Sequence, residues 1–307
     1  MQENRFTSRP SASIASTILV ALLFLLILSL FPDIIHAQDS TAVAKTGIDA
    51  WFRTERTNAL ILLVLFSVVV LLYTTWARQG KNLFIRKIAG LDAIEEAVGR
   101  ATEMGRPVLF IPGLQELDEI ETIAGVSILG RVAKITAQYE TPLIVPLRYP
   151  LVLAACQEVV QNSYAEAGKP DSYNKDSVRY VAGEQMAYAA AVNGIMTRER
   201  PAANIFMGYF AAESLILAET GNAAGSIQIA GTARPEQIPF FIAACDYALM
   251  GEELYAASAY LSHEPLLLGG LKGQDFMKVL IGIAILVGVL LLATGNNQWY
   301  VDIFKNI

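Results

Sequence analysis

Arg106-Pro-Val-Leu-Phe-Ile-Pro-Gly113 sets four uninterrupted apolar residues between two prolines and closes on a glycine. A run this short is too brief for a helix. Its prolines end any ladder at both sides, and the continuous apolar character suits a strand covered on both faces. The same signature recurs at Thr141-Pro-Leu-Ile-Val-Pro146, Ala203-Asn-Ile-Phe-Met-Gly208, Ser226-Ile-Gln-Ile-Ala-Gly231 and Tyr247-Ala-Leu-Met-Gly251. Between these runs lie longer stretches with helical spacing: from Gly113 to Tyr139, Leu151–Ala167, about Ser177–Arg198, from Gly208 to about Thr220, from Pro235, and Glu252–Leu261. Strand and helix in alternation predict an α/β fold, a Rossmann-like five-stranded, mainly parallel sheet with helices on both faces. Paired alanines on the helices (Ala154-Ala155, Ala211-Ala212, Ala243-Ala244, Ala256-Ala257) let helix approach sheet closely.

Outward from this core the chain turns apolar. Ala59–Ala77 is almost wholly apolar and runs into Arg78, Lys81, Arg86 and Lys87, with no acidic residue before Asp92. At ~1.5 Å rise per residue it crosses a hydrocarbon layer of ~30 Å, and the cationic flank holds its C-terminal end on the cytoplasmic side. Leu83–Arg100 reads as a connecting amphipathic helix, with Leu91, Ile94, Ala97 and Val98 on one face. On the far side, the polar hinge Ser262–Gln274 precedes a further apolar segment, Val279–Thr294. Lys272 and Lys278 stand on its near side, which predicts an external tail, residues 295–307, with Trp299 and Tyr300 at the interface. Gly282 and Gly288 are six apart and form no GxxxG pair.

The N-terminal block Ile14–Phe31 follows Arg5 and Arg9 and stops at Pro32-Asp33. Two readings stay open: a signal peptide cleaved after Ala37, or a retained first transmembrane helix. The domain plan is therefore 1–37 signal or first helix, 38–58 short external segment with Trp51 and Phe52 as interfacial anchors, 59–77 transmembrane helix, 81–274 cytoplasmic α/β domain, and 279–294 transmembrane helix. This totals two to three membrane helices and places the protein in the cytoplasmic membrane, with the lipid bilayer as its first partner.

Charge narrows the function classes. The formal net charge of −6 falls entirely between Arg78 and Lys278. An acidic domain without a basic cluster argues against nucleic acid as a partner. Cys156 and Cys245 are not spaced as a CxxC pair, and in a cytoplasmic domain they read as buried free thiols. No GxxxxGK[ST] and no GxGxxG after a strand occurs, and the two histidines, His36 and His263, lie outside the strand–helix core. No cysteine and histidine ligands stand at zinc spacing, so no metal is assigned, and the cofactor is left unknown.

The positive signal is positional, because open parallel sheets bind ligands beyond the C-terminal ends of their strands. Those ends carry Gly113, Gly208, Gly231 and Gly251 together with Arg148 and Arg234. Arg234 precedes Pro235, expected as the first residue of a helix, and arginine beside a helix N-terminus can hold an anion. The candidate ligand-binding residues are Arg148, Gly208, Glu213, Gly231, Thr232 and Arg234. The competing reading is that both arginines pair with Glu213, Glu252 or Glu253 and simply tie loops together. Glu213, Glu252 and Arg148 are the first suspects for an enzyme, although Glu252 and Glu253 are adjacent on a helix and point apart.

The blocks Gly105–Gly113, Ile144-Val-Pro-Leu-Arg148, Gly183-Glu-Gln-Met186, Met207-Gly-Tyr-Phe210, Ala230-Gly-Thr-Ala-Arg-Pro235 and Met250-Gly-Glu-Glu-Leu254 resemble an uncharacterised family of bacterial membrane proteins. In that family the same α/β segment, a domain of unknown function, precedes a C-terminal apolar helix. The resemblance implies membrane location and prokaryotic origin and transfers no catalytic residue. The expectation is a membrane-anchored protein whose cytoplasmic domain acts as a small-anion-binding or assembly module, in a homo-oligomer or with a membrane partner. The alternative is a membrane-tethered enzyme with its site at the strand ends.

Overall fold

The computed structural model describes residues 57–80, 89–262 and 264–294. Two compact units separate, one of Met1–Leu83 with Gly269–Ile307 and one of Phe84–Leu268.

In the second unit, the strands are β1 Val108–Ile111, β2 Leu143–Leu147, β3 Val178–Tyr180, β4 Ala203–Met207, β5 Ile227–Thr232 and β6 Tyr247–Met250. They form one sheet in the order β3-β2-β1-β4-β5-β6, and every neighbouring pair is parallel. Parallel neighbours require crossover connections. These are supplied by α3 Ile120–Gln138, α4 Pro150–Glu166, α5 Gln185–Glu199, α6 Glu213–Ala223 and α7 Ile238–Ala244. Two more helices, α2 Ala89–Met104 and α8 Glu252–Ser262, complete the layers; α1 Thr57–Arg78 and α9 Pro265–Ala293 flank the unit in the chain.

Alternation along β1 shows how the sheet serves two cores. Val108 and Phe110 join a cluster with side chains of α2, α3, α4 and α8, whereas Leu109 and Ile111 join one with α5, α6 and α7. All four are fully buried, which explains the unbroken apolar run. Strand order reverses between β1 and β4, so the C-terminal ends of these two strands mark the switch point of the sheet.

The sheet has six strands where five were expected. Val178–Tyr180 falls in a stretch assigned to helix, but it pairs with β2 through Val145↔Val178, Pro146↔Arg179 and Leu147↔Tyr180. As an edge strand of three residues it buries only Val178 and turns Arg179 and Tyr180 to solvent, so it has no apolar run to reveal it. Helix α5 then begins at Gln185, capped by the Glu184 carboxylate, which accepts from Ala187 N at 2.7 Å. Helix α7 also starts late, at Ile238 and not Pro235. The amides of Gln237 and Ile238 both donate to Arg234 O in the preceding turn.

The first unit contributes α1 and the larger part of α9. Asn58–Arg78 and Pro265–Ala293 are both long and apolar enough to cross a membrane. The expected hinge Ser262–Gln274 is instead largely helical, since α9 begins at Pro265. Gly269 and Gly273 make a GxxxG pair on it. A Cβ at Gly269 would lie 2.4 Å from Thr74 Cα, and one at Gly273 would lie 3.0 Å from Val70 Cα. The glycines thus admit close antiparallel approach of the two backbones and do not break the helix. Val69, Phe276 and Met277 are buried between the helices, with the rings of Tyr73 and Phe276 6.2 Å apart. Leu63, Leu71, Leu286 and Leu290 stand out from the pair, each more than 60% exposed. The block Ile14–Phe31, the segment 38–56 with Trp51 and Phe52, the collar Lys81, Arg86 and Lys87, His263 and the tail 295–307 lie outside the described residues.

Candidate functional site

The ends of β1 and β4 are closed by the chain itself. Gly113 and Gly208 both take positive φ, 90° and 142°. The Leu114 amide donates to Tyr209 O and the Gly208 amide donates to Gly231 O, each at 2.9 Å. A Cβ at Gly208 would meet Pro112 O at 2.5 Å, and one at Gly125 in α3 would meet Met207 O at 2.2 Å. Backbone is packed on backbone, and no side chain fits between. Phe210 pins the loop after β4. It is buried against Phe206 and Phe241, with ring centroids 6.1 and 5.2 Å away.

Beside this closure, Arg148 reaches from the end of β2 to two backbone carbonyls, Gly183 O at 2.9 Å and Leu114 O at 3.2 Å, and its guanidinium lies 5.0 Å from the Tyr149 ring centroid. One side chain therefore joins the loops that follow β1, β2 and β3. Glu213, the first residue of α6, is fully buried; it accepts from Gln185 Nε2 and from the Ala211 amide. Tyr188 donates to Pro146 O at 2.8 Å beneath them, and burial drives its hydroxyl pKa up.

The ends of β5 and β6 are different. Thr232 Oγ1 accepts from the Arg234 amide at 3.3 Å. The Arg234 guanidinium lies 4.5 Å over the Tyr209 ring, with Nε 3.1 Å from Glu121 Oε1 and an Nη 3.5 Å from Glu119 Oε2. Glu121 sits in the first turn of α3 and is 5% exposed. Its Oε2 is buried and has no hydrogen-bond partner, and Arg234 Nε, although close to Oε1, is not aligned for a hydrogen bond. Burial holds the Glu121 pKa above the ordinary carboxylate value, and the neighbouring Arg234 offsets only part of that rise. A cavity of about 470 Å³ opens here, lined by Glu119, Glu121, Arg234, Glu236, Glu252 and Tyr255 among others.

The six expected site residues thus divide. Arg148, Gly208 and Glu213 belong to the switch-point closure, while Thr232 and Arg234 belong to the β5–β6 end. Gly231 lies within β5, where a Cβ would stand 2.6 Å from Met207 Sδ, so packing of the sheet accounts for its small size. Arg234 meets Glu119 and Glu121 and not the carboxylates named from the sequence. Glu252 lines the cavity, and Glu253 accepts from the Met250 amide at 3.2 Å.

Sequence reasoning missed Glu119, Glu121, Tyr209 and Tyr255. The acidic run Asp118-Glu-Ile-Glu121, just after a strand-end loop, was the available sign. Cys156 and Cys245 are free thiols, and burial pushes both up to about 12, which leaves little thiolate at neutral pH. Among the described residues, no group of three or more His, Cys, Asp or Glu is placed to hold a metal ion.

Compared with known families, residues 47–304 match a domain of unknown function, DUF6754. No curated protein matches the chain, and no solved structure does.

Proposed function

The chain belongs to the DUF6754 family, defined by a domain of unknown function, and we propose that it is a membrane-anchored binding and assembly module. In this reading α1 and α9 cross the bilayer. The cationic flank Arg78, Lys81, Arg86 and Lys87 keeps the α/β unit on the cytoplasmic side of the cell membrane. The unit recognises a ligand or partner and does no covalent chemistry; a second copy or another membrane protein completes the assembly.

The observation that carries this reading is the engagement of both strand-end arginines within the chain. Arg148 is spent on the Leu114 and Gly183 carbonyls, and Arg234 on Glu119, Glu121 and the Tyr209 face. A phosphate-like anion would have to displace these bonds, which supports assembly over anion capture. The enzyme alternative draws on Glu213, yet both of its carboxylate oxygens already accept hydrogen bonds. A general acid or base needs a proton path to a reacting atom.

The test uses the full chain in detergent. Nucleotides, phosphorylated metabolites and divalent metals are screened for a rise in Tm, while cross-linking in native membranes reports assembly. The expected result is no shift across the panel and one discrete cross-linked complex. A saturable rise with a phosphorylated compound, abolished by Arg148→Met, would overturn it, because a ligand that prefers the folded form must raise Tm. Sidedness is read separately, by labelling intact cells with an impermeant thiol reagent on variants bearing a single surface cysteine in the α/β unit. Protection until the cells are opened is the expected outcome.

A further inference from the structure

We propose that two copies of the chain pair through the outward face of α9, the Gln274 amide of each copy donating to the Asp275 carboxylate of the other. The inference rests on the reading of α1 and α9 as membrane spans of an assembly module, and it names the surface on which a second copy docks.

The register of the two helices carries it. A Cβ at Gly269 would meet Thr74 Cα and one at Gly273 would meet Val70 Cα, so antiparallel counting sets Asp275 level with Val68. Val68 is the midpoint of Ala59–Ala77, and no charged residue lies between Arg56 and Arg78. From Val68 to Arg78 is about 15 Å of helix, which is mid-depth in a hydrocarbon layer of ~30 Å. Sliding the layer toward the apolar run Val279–Ala293 offers no escape. It draws in the sequence before α1, with Arg53, Glu55 and Arg56, and leaves the exposed Leu71 and Leu72 in water. Charged residues at such depth face other protein segments and not lipid.

The direction of the side chains says where that segment lies. Gly269, Gly273, Phe276 and Met277 form the buried side of α9. Gln274, Asp275, Lys278 and Gly282 recur at helical spacing on the opposite side, and all four are exposed. The Asp275 side chain is 51% exposed beside a long 3.5 Å contact with Lys272, and a carboxylate accepts up to about four hydrogen bonds. A Cβ at Gly282 would have nothing within 4 Å, so another helix can close in there. A second copy fits this face by symmetry. In one bilayer its α9 runs parallel, and each residue lies level with its own counterpart. Gln274 then stands one residue's rise, ~1.5 Å, from the level of Asp275 in the second copy. The two amide–carboxylate bonds form together across a two-fold axis.

The test is oxidative cross-linking of the full chain in native membranes, on variants with one added cysteine and with the chain lacking it as the blank. Lys278→Cys, on the outward face of α9 and clear of the proposed bonds, is expected to join two copies. Leu63→Cys, at nearly the same level on α1 and 67% exposed, is expected not to. Energy transfer between labelled copies diluted in lipid vesicles then measures the pairing. Asp275→Leu should weaken it about tenfold, as loss of interhelical hydrogen bonds does, whereas Asp275→Asn, which still accepts from Gln274, should keep most of it. Equal cross-linking at Leu63→Cys, capture of a different protein at Lys278→Cys in place of a second copy, or pairing unchanged in Asp275→Leu would overturn the proposal. A discrete complex that forms despite such a result leaves the module reading standing, and the absence of any complex would overturn both.

Discussion

The two halves of the sheet's C-terminal edge solve the same problem in opposite ways. At β1, β2 and β4 the loops meet backbone to backbone, and every polar side chain singled out there finds a partner in the chain. At β5 and β6 the loops stand apart around a cavity, and a buried carboxylate is left with one oxygen unanswered. In doubly wound sheets the switch point is the usual place for a ligand. Here the glycines that would have let a ligand approach are used to let the chain approach itself. Glycine at a strand end therefore says that something comes close, without saying whether it is a ligand.

The sharpest way to break the contrast is to force side chains into the closed half. Gly208→Ala places a methyl group 2.5 Å from Pro112 O at a backbone angle alanine rarely adopts, and it should cost about 3 kcal/mol or more in thermal unfolding of the full chain in detergent. Gly251→Ala, at the open end, meets nothing within 4 Å and carries only the strain of its positive φ, so about 1 kcal/mol is expected. Equal losses at the two sites would erase the distinction.

Arg234→Ala tests the open half next. It strips Glu121 of its ion-pair neighbour at 3.1 Å and should destabilise by about 2 kcal/mol at neutral pH, a figure already reduced because Arg234 is more than a third exposed. Arg148→Met removes two charge-assisted bonds to carbonyls in the closed half, at a cost of about 1.5 kcal/mol.

The smallest effects are read in pH, and their signs oppose. Burial raises the Glu121 pKa in the folded state. Its contribution is therefore fully present below the unfolded pKa and is lost as pH rises through the folded value. Glu184, at the N-terminus of α5, has its pKa lowered by the amides of Met186 and Ala187. Its contribution is present above the unfolded pKa and is lost as pH falls through the folded value. In melting curves taken across the acid range, Glu121→Gln should steepen the loss of stability on acidification, and Glu184→Gln should flatten it. Shifts of the same sign would show that the two carboxylates do not differ as described.

Much of the architecture was legible because the physics is local. Val108–Ile111 and the run that became β2 are apolar throughout, Ala203–Met207 and the run that became β5 are apolar but for Asn204 and Gln228, and each of the five runs, β6 included, meets a proline or glycine at its C-terminal end. β3 was not legible, since an edge strand that buries one residue leaves no run to detect. Ser262–Gln274 reads as a hinge because it is polar beside the apolar segment that follows; the α1 backbone at Val70 and Thr74, against which Gly269 and Gly273 of the helix pack, lies far away in sequence. The candidate site follows the same divide. Arg148 and Arg234 could be placed at strand ends by counting from the runs. Their partners could not, because the ion pair between Arg234 and Glu119 links residues 115 apart, and no local spacing encodes a pairing at that range.

The placement of β1 also dictates an order of events during synthesis. Its two flanking strands are β2, which emerges soon afterward, and β4, which emerges only after β3 and α5 have been made. The β3-β2-β1 half can assemble first, but until Ala203–Met207 leaves the ribosome, the middle of the future sheet stays a bare edge able to capture another chain. Nascent chains halted before Ala203 should therefore be the aggregation-prone ones, and those released after Met250 should not.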